Sequence, residues 1–490
     1  MGKAYNWMCA GIAGSGSILY GYDAAVIAGT FAQPGFLDYF KPTATMLGAI
    51  GAVYFGGLIV GLWFTSVLAD KYGRKRTIQF GGVVGLIGAI FQTAATDASI
   101  GLFFSGRVLA GMASGIMLTT VNIYQAEIAP PQLRGTMVAF QIVTLMTAGT
   151  LASWVGYACN YSDDLQFQWR FPIGLQCLPA IGIIIGCFFI PFSPRWLISK
   201  NRHDEAKAVL QRLHDDHHDP TFWEKEYLQI AAQLAIEEKE KEEAKNWLSI
   251  FTTWRDLRRI LIAVAALTSV QTNGAQTIQV YQTVLYTGLG FSTKRTLLMA
   301  GVFGICNTAG GITNLILIDR VGRRRLFLTG LLILSVWLGV FAACSAQYGE
   351  TGLASWGQAG VAFVMIYIYS FGTTYASSPY AYAAEVLPTK IRAVGMAVAL
   401  SCANAITLVF SQTAPIALEQ IGWKFDLVFI ACNIFFFPIV YFCFPETKGL
   451  TLEEINHVFG EEVAVELRDL SDNEVERKMA GEAGQFEHVP

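Results

Sequence analysis

The hexapeptide Asp70-Lys71-Tyr72-Gly73-Arg74-Lys75 returns in the second half of the chain as Asp319-Arg320-Val321-Gly322-Arg323-Arg324. Each copy is a charged, glycine-centred turn between two long apolar stretches: 45–68 and 77–96 around the first, 295–318 and 326–346 around the second. A helix needs about 20 mostly apolar residues to cross a bilayer. Stretches of the same kind lie at 7–30, 100–124, 133–159 and 170–192, and again at 259–287, 355–382, 392–415 and 422–444. That makes twelve spans, six on each side of a polar stretch. A second repeat occupies matching places: Glu127-x-x-Pro130-x-x-x-Arg134-Gly135 after the fourth span, and Glu385-x-x-Pro388-x-x-x-Arg392 after the tenth. The expected fold is an all-α membrane protein, with transmembrane helices in two pseudo-symmetric six-helix bundles at 1–192 and 259–444. A linker with short helices fills 193–258, and a polar, acidic tail fills 445–490.

Composition agrees. Of 490 residues, 53% are hydrophobic and 14% charged, against about 25% charged in soluble domains. A net charge of -3 leaves no electrostatic footprint for nucleic acid. The nine cysteines are scattered through apolar runs without a C-x-x-C pair, which suggests neither a disulfide framework nor a zinc site. No metal-ligand cluster, nucleotide loop or nucleophile constellation stands out, so neither an enzyme nor a cofactor is implied. The first apolar segment runs straight into Gly21, Tyr22 and Asp23 and reads as a membrane helix rather than a cleaved leader.

Lys and Arg set the orientation. Lys71, Arg74, Lys75, Arg76, Arg134, Arg320, Arg323, Arg324, Arg325, Lys390 and Arg392 all fall in loops on one face. The opposite loops offer Lys41, Arg170, Lys294, Arg295 and Lys424. The first face is expected in the cytoplasm, with both termini, the linker and the tail. Asn160-Tyr161-Ser162 is then the one glycosylation sequon in an outer loop, and a chance match is as good a reading. The acids of the repeats exceed what topology requires. Asp70, Arg74, Glu127 and Arg134, and again Asp319, Arg323, Glu385 and Arg392, can pair at the cytoplasmic mouth and act as gates.

Polar residues inside the spans are the candidate site. Gln271 lies roughly 18 Å into the seventh span, near the midplane, and Asn307 is similarly deep in the eighth. Gln141 lies in the fifth span. Neutral amides and aromatic faces suit a cargo rich in hydroxyls and lacking charge. Asp23 is the clearest carboxylate inside a span, and Arg107 lies at a matching depth, so a pair is feasible. All six histidines fall in the linker or tail, which excludes a histidine relay. If a proton is carried, Asp23 is the candidate, and a static Asp23–Arg107 pair is the alternative.

At these residues the chain resembles the sugar porter family of the major facilitator superfamily. Leu109-x-Gly111-Met112-x-x-Gly115, Tyr124-x-x-Glu127 and Arg134 fit that family's longer signature, the two hexapeptides fit its shorter one, and Pro445-Glu446-Thr447-Lys448-Gly449 fits the segment after its last span. The resemblance implies substrate binding by Gln141, Gln271 and Asn307. It extends to two altered positions: Gln276, where the family carries asparagine, and Tyr380, where it carries tryptophan. It also associates Asp in Gly-Tyr-Asp with proton-coupled members, although some facilitative fungal members share it. Further departures are Pro191-Phe192-Ser193-Pro194-Arg195, which lacks the usual glutamate, and Val270, Val280 and Asn404. Asn273, Gln279 and Asn404 read as structural.

The resulting expectation is a monomeric carrier in the lipid bilayer, at the plasma membrane, taking up a neutral sugar or polyol with a proton. A facilitative uniporter, a carrier of a disaccharide, quinate or a specialised metabolite, and a non-transporting nutrient sensor are the alternatives.

Overall fold

The computed structural model describes residues 2–129, 134–214, 223–224, 226–232, 234, 254–448, 455 and 459. The acidic run at 237–243 and most of the tail lie outside the described residues. The first half comprises α1 (Gly2–Thr30), the short α2 (Pro34–Phe40), α3 (Ala44–Tyr72), α4 (Arg74–Thr93), α5 (Ile100–Ile128), α6 (Arg134–Cys159), α7 (Leu165–Gly174) and α8 (Cys177–Gly186). In the linker are α9 (Pro194–Ser199) and α10 (His203–His214). The second half comprises α11 (Trp254–Thr272), α12 (Ala275–Gly288), α13 (Thr293–Val321), α14 (Arg323–Thr351), α15 (Ala354–Tyr375), α16 (Ser378–Val386), α17 (Thr389–Ile421) and α18 (Asp426–Cys443). No strand occurs among the described residues.

Among the described residues, eight stretches are long and apolar enough to cross a membrane on composition alone, and the last, Val394–Cys443, takes in α18 and most of α17. The other spans are α1, α4 and the α11–α12 pair. They are more polar because they bury Asn6, Ser17 and Asp23, then Thr77 and Gln92, and then Thr268, Ser269, Thr272 and Asn273, respectively. Each is shielded by neighbours: α1 lies along α6 and α5, α4 along α5, and α11 along α17.

Helix pairing repeats between the halves. α1 packs on α6 as α11 packs on α17, α3 on α5 as α13 on α15, and α4 on α8 as α14 on α18. The hexapeptide turns repeat in backbone as well. Gly73 has φ 86° and ψ 157°, and Gly322 has φ 101° and ψ 153°. That region is essentially reserved for glycine, so both turns need their central glycine to reverse one span directly into the next.

The bundles meet along α3–α17, α6–α13 and α1–α12. On the face opposite the linker, hereafter the far face, these seams are stitched. Tyr281 of α12 stacks on Phe31 at 5.9 Å and donates to Leu47 O at 3.3 Å and Ser411 O at 2.8 Å. Thr283 donates to Ala28 O at 2.7 Å, Gln412 to Thr45 O at 3.3 Å, and Thr150 shares a 3.0 Å bond with Thr308. The far-face mouth is closed in this conformation.

Candidate functional site

The sequence reads spans seven and ten as continuous helices. In the structure both are broken. Span seven stops at Thr272 and restarts at Ala275, with Gly274 at φ 96°. Asn273 Oδ1 accepts from Ala275 N at 2.9 Å, and Tyr367 of span ten donates to Asn273 O at 2.8 Å. Span ten stops at Tyr375 and restarts at Ser378, with Pro379 in its first turn. The freed groups are collected by Asn314 of span eight, which is fully buried. Its Nδ2 donates to Thr373 O at 2.6 Å and Ser378 Oγ at 3.1 Å, and its Oδ1 accepts from Ser377 N at 3.3 Å and Ser377 Oγ at 2.5 Å. Backbone polar groups within a membrane must be satisfied internally, which explains why a span-eight asparagine is tied to a span-ten break. The sequence reading passed over Asn314; its signal was a second amide in span eight, seven residues after Asn307, together with Ser377-Ser378-Pro379 in span ten.

Two of the four candidate amides, and Tyr380, border these breaks. Gln271 lies just before the span-seven break and Gln276 just after it; Tyr380 follows the span-ten break. Gln141 is 3% exposed, and Gln271, Asn307, Gln276 and Tyr380 are half-buried. The carbonyl oxygens of Gln141, Gln271 and Asn307 are all buried without a hydrogen-bond partner among the described residues. Such an acceptor costs about 1–3 kcal/mol until it finds a donor. Tyr380 packs with Tyr20 and Ala24 of α1 against Tyr54, Leu58, Leu267 and Leu400, a cluster drawn from both bundles. Asn404 donates to Leu400 O at 2.8 Å and Asn273 caps α12, both structural tasks.

Asp23 and Arg107 meet. Arg107 Nη1 lies 3.1 Å from Asp23 Oδ1 and 3.4 Å from Asp23 O, and the residues are 1% and 2% exposed, arginine first. The guanidinium sits 4.4 Å over the Tyr54 ring, and Tyr54 donates to Ser114 Oγ at 2.9 Å. Tyr54 therefore joins the charge pair to the inter-bundle cluster, a connection that residue spacing did not reveal.

At the linker face, Arg74 Nε lies 3.1 Å from Glu127 Oε2, and Nη1 lies 3.3 Å from Asp70 Oδ1. Arg323 Nη2 lies 3.0 Å from Glu385 Oε1. Arg392 instead donates to Leu387 O at 3.0 Å and has no ion pair among the described residues. The side chains of Arg134 and Asp319 lie outside the described residues. Each ion pair stays within one bundle, whereas the gate expectation has such pairs open and close with the mouth. Glu446, absent from the candidate residues, accepts from Arg323 N at 3.0 Å and so caps α14, while Thr447 donates to Glu385 Oε2 at 2.6 Å. Phe192 stands at the position of the missing family glutamate and stacks on Trp196 at 5.2 Å, while Ser193 beside it caps α9 by accepting from Trp196 N. Asn160 donates to buried Gln33 Oε1 at 3.0 Å, so its amide is already engaged.

A family model described as sugar (and other) transporter matches residues 9–459. The MFS-type transporter criB of Aspergillus cristatus is 32% identical over 481 residues, covering 97% of this chain and 98% of that protein. The MFS glucose transporter mfs1 of Aspergillus flavus is 30% identical, covering 94% and 90%. The xylose transporter XylE from E. coli, in a partially occluded inward open conformation, matches with a TM-score of 0.77 at 20% identity, covering 92% of this chain and 100% of that one. XylE described as a proton:xylose symporter bound to 6-bromo-6-deoxy-D-glucose also gives 0.77 at 20% identity, covering 94% and 100%. At this identity the XylE likeness establishes the shared fold.

Proposed function

We propose, because the chain belongs to the sugar porter family of the major facilitator superfamily, that it takes up a neutral sugar together with a proton by alternating access. As a member of that family it is a multi-pass membrane transporter and not an enzyme. The reading rests on three buried amide oxygens, of Gln141, Gln271 and Asn307, that have no partner among the described residues. A sugar supplies hydroxyl donors to each without bringing a charge that would need neutralising. Gln276 and the ring of Tyr380 complete the site beside the two helix breaks. Discontinuous spans near the midplane are where transporters of this architecture expose polar groups to cargo.

The linker face is the cytoplasmic one in this reading, from its excess of Lys and Arg. A proton reaching Asp23 from outside removes the charge that holds Arg107 Nη1. Arg107 then leans on Tyr54 and the Asp23 carbonyl alone, and the wall that Tyr54 offers to Leu267 and Leu400 of the other bundle loosens. Return of the pair on the cytoplasmic side expels the proton. The linker-face ion pairs act as braces that keep each bundle rigid while the two rock. XylE's own cargo and proton coupling fit the same reading.

A second reading, carriage of a larger hydroxylated metabolite, is favoured by Gln276 and Tyr380 standing where the family carries other residues. The test is uptake of labelled hexoses, pentoses, polyols, disaccharides and quinate in a transport-null host at two external pH values, with and without a protonophore. Accumulation of a hexose, pentose or polyol that collapses with the pH gradient supports the first reading. Preference for a bulkier solute supports the second. Accumulation indifferent to the gradient removes the proton, and no flux of any solute points to a sensor.

A further inference from the structure

Two buried acids take no part in that mechanism: Asp256, at the linker end of α11, and Asp426, on the far face. Asp426, the first residue of α18, is 2% exposed and lines a small cavity with Thr277, Tyr281, Leu418, Phe425 and Phe429. Among the described residues no Lys, Arg or His forms an ion pair with it. Thr277 in the same cavity is 6% exposed, and its hydroxyl has no hydrogen-bond partner among the described residues. The surrounding titratable groups are Tyr281 and Tyr286 on α12, Tyr367 on α15, Tyr348 and exposed Glu350 on α14, exposed Glu419 at the end of α17, and exposed Lys424 in the turn before α18. The charged groups of α11 lie at its linker end.

The cavity adjoins the far-face closure. Tyr281, one of its walls, is the residue that stacks on Phe31 and reaches Leu47 and Ser411. We propose that Asp426 is a second proton-binding site, one whose protonation closes the far-face gate. A neutral carboxyl can donate to the free Thr277 hydroxyl and pack against the aromatic wall. An ionised carboxylate has no cation to meet, and its demand for donors draws water into the cavity. Water there displaces the α12 wall and with it the Tyr281 stitch. The ligand is a proton. The inference requires neither that Asp23 is protonated nor that the cargo is a sugar.

The test uses the full chain in nanodiscs, where both faces are open to the buffer. Ala28→Cys places a thiol at a residue 1% exposed beneath Thr283, reachable only when the far face opens. Maleimide labelling is followed on the peptide carrying residue 28 over a pH range, with Asp426 intact and with Asp426→Asn. The ratio of the two rates cancels the thiol's own ionisation. It is expected near one in acid and to rise roughly tenfold with pH, the change that one unit of differential proton affinity produces. Asp426→Glu should keep the rise, and so should an Asp23→Asn background. A ratio flat with pH overturns the proposal, as does a rise that disappears with Asp23→Asn. Should Asp426→Asn fail to fold, Thr277→Val is read instead: a shifted pH midpoint supports the site, and an unchanged one overturns it.

Discussion

Separating Asp23 from Arg107 is the sharpest perturbation available. Their charged atoms stand 3.1 Å apart, with both side chains buried. At an effective dielectric of about 20, such a pair interacts by about 5 kcal/mol, and breaking one side of a buried pair costs about 3–5 kcal/mol. Asp23→Asn retains an oxygen that can accept from Arg107, and the arginine keeps its contacts to the residue 23 carbonyl and the Tyr54 ring. Its expected loss is therefore at the low end, about 3 kcal/mol. Arg107→Ala leaves a buried carboxylate without a cation and should cost about 5 kcal/mol. The double variant should cost about 5 kcal/mol, less than the two single losses added, giving a coupling energy of about 3 kcal/mol in a double-mutant cycle. The cycle is read from denaturant unfolding of the purified protein in micelles. In vesicles, Asp23→Asn should abolish pH-driven accumulation of the substrate while leaving exchange of labelled for unlabelled substrate. A coupling energy below about 1 kcal/mol, the range of exposed pairs, would refute the electrostatic argument. Accumulation undiminished in Asp23→Asn would refute the coupling role.

Asn314→Ala removes four hydrogen bonds at the span-ten break; at about 0.6 kcal/mol for each such bond inside a membrane, unfolding should become easier by about 2–3 kcal/mol. Gly73→Ala and Gly322→Ala should each cost about 1–3 kcal/mol in the same unfolding assay, because neither backbone suits a side chain; values near zero would mean that the turns relax. Gln271→Ala and Asn307→Ala each take away an acceptor of the proposed sugar site, and the half-saturation concentration for uptake should rise about tenfold with unfolding midpoints unchanged. Arg323→Ala, by contrast, should leave half-saturation unaltered and lower unfolding stability, since its partner Glu385 lies in the same bundle; a large change in affinity with no loss of stability would contradict a bracing role.

Twelve spans, the two-fold repeat and the matched depths of Asp23 and Arg107 were legible in the chain alone. Length, apolarity and recurring charged turns are local quantities, and a bilayer punishes any departure from them. The three amides were legible for a related reason: a polar side chain at span midpoint stands out against its neighbours. What sequence left undecided depends on which spans touch. The breaks after Thr272 and Tyr375 persist because Tyr367 and Asn314 reach across from other helices to satisfy the backbone they free. Packing brings Arg323 to Glu385, 62 residues away in the chain, and turns Arg392 to a carbonyl. Asp426 reads as an ordinary residue at a span's edge until α12 and α17 fold over it. Partner choice between distant segments is settled by burial, because only there does an unmet charge or hydrogen bond cost enough to select one arrangement over another.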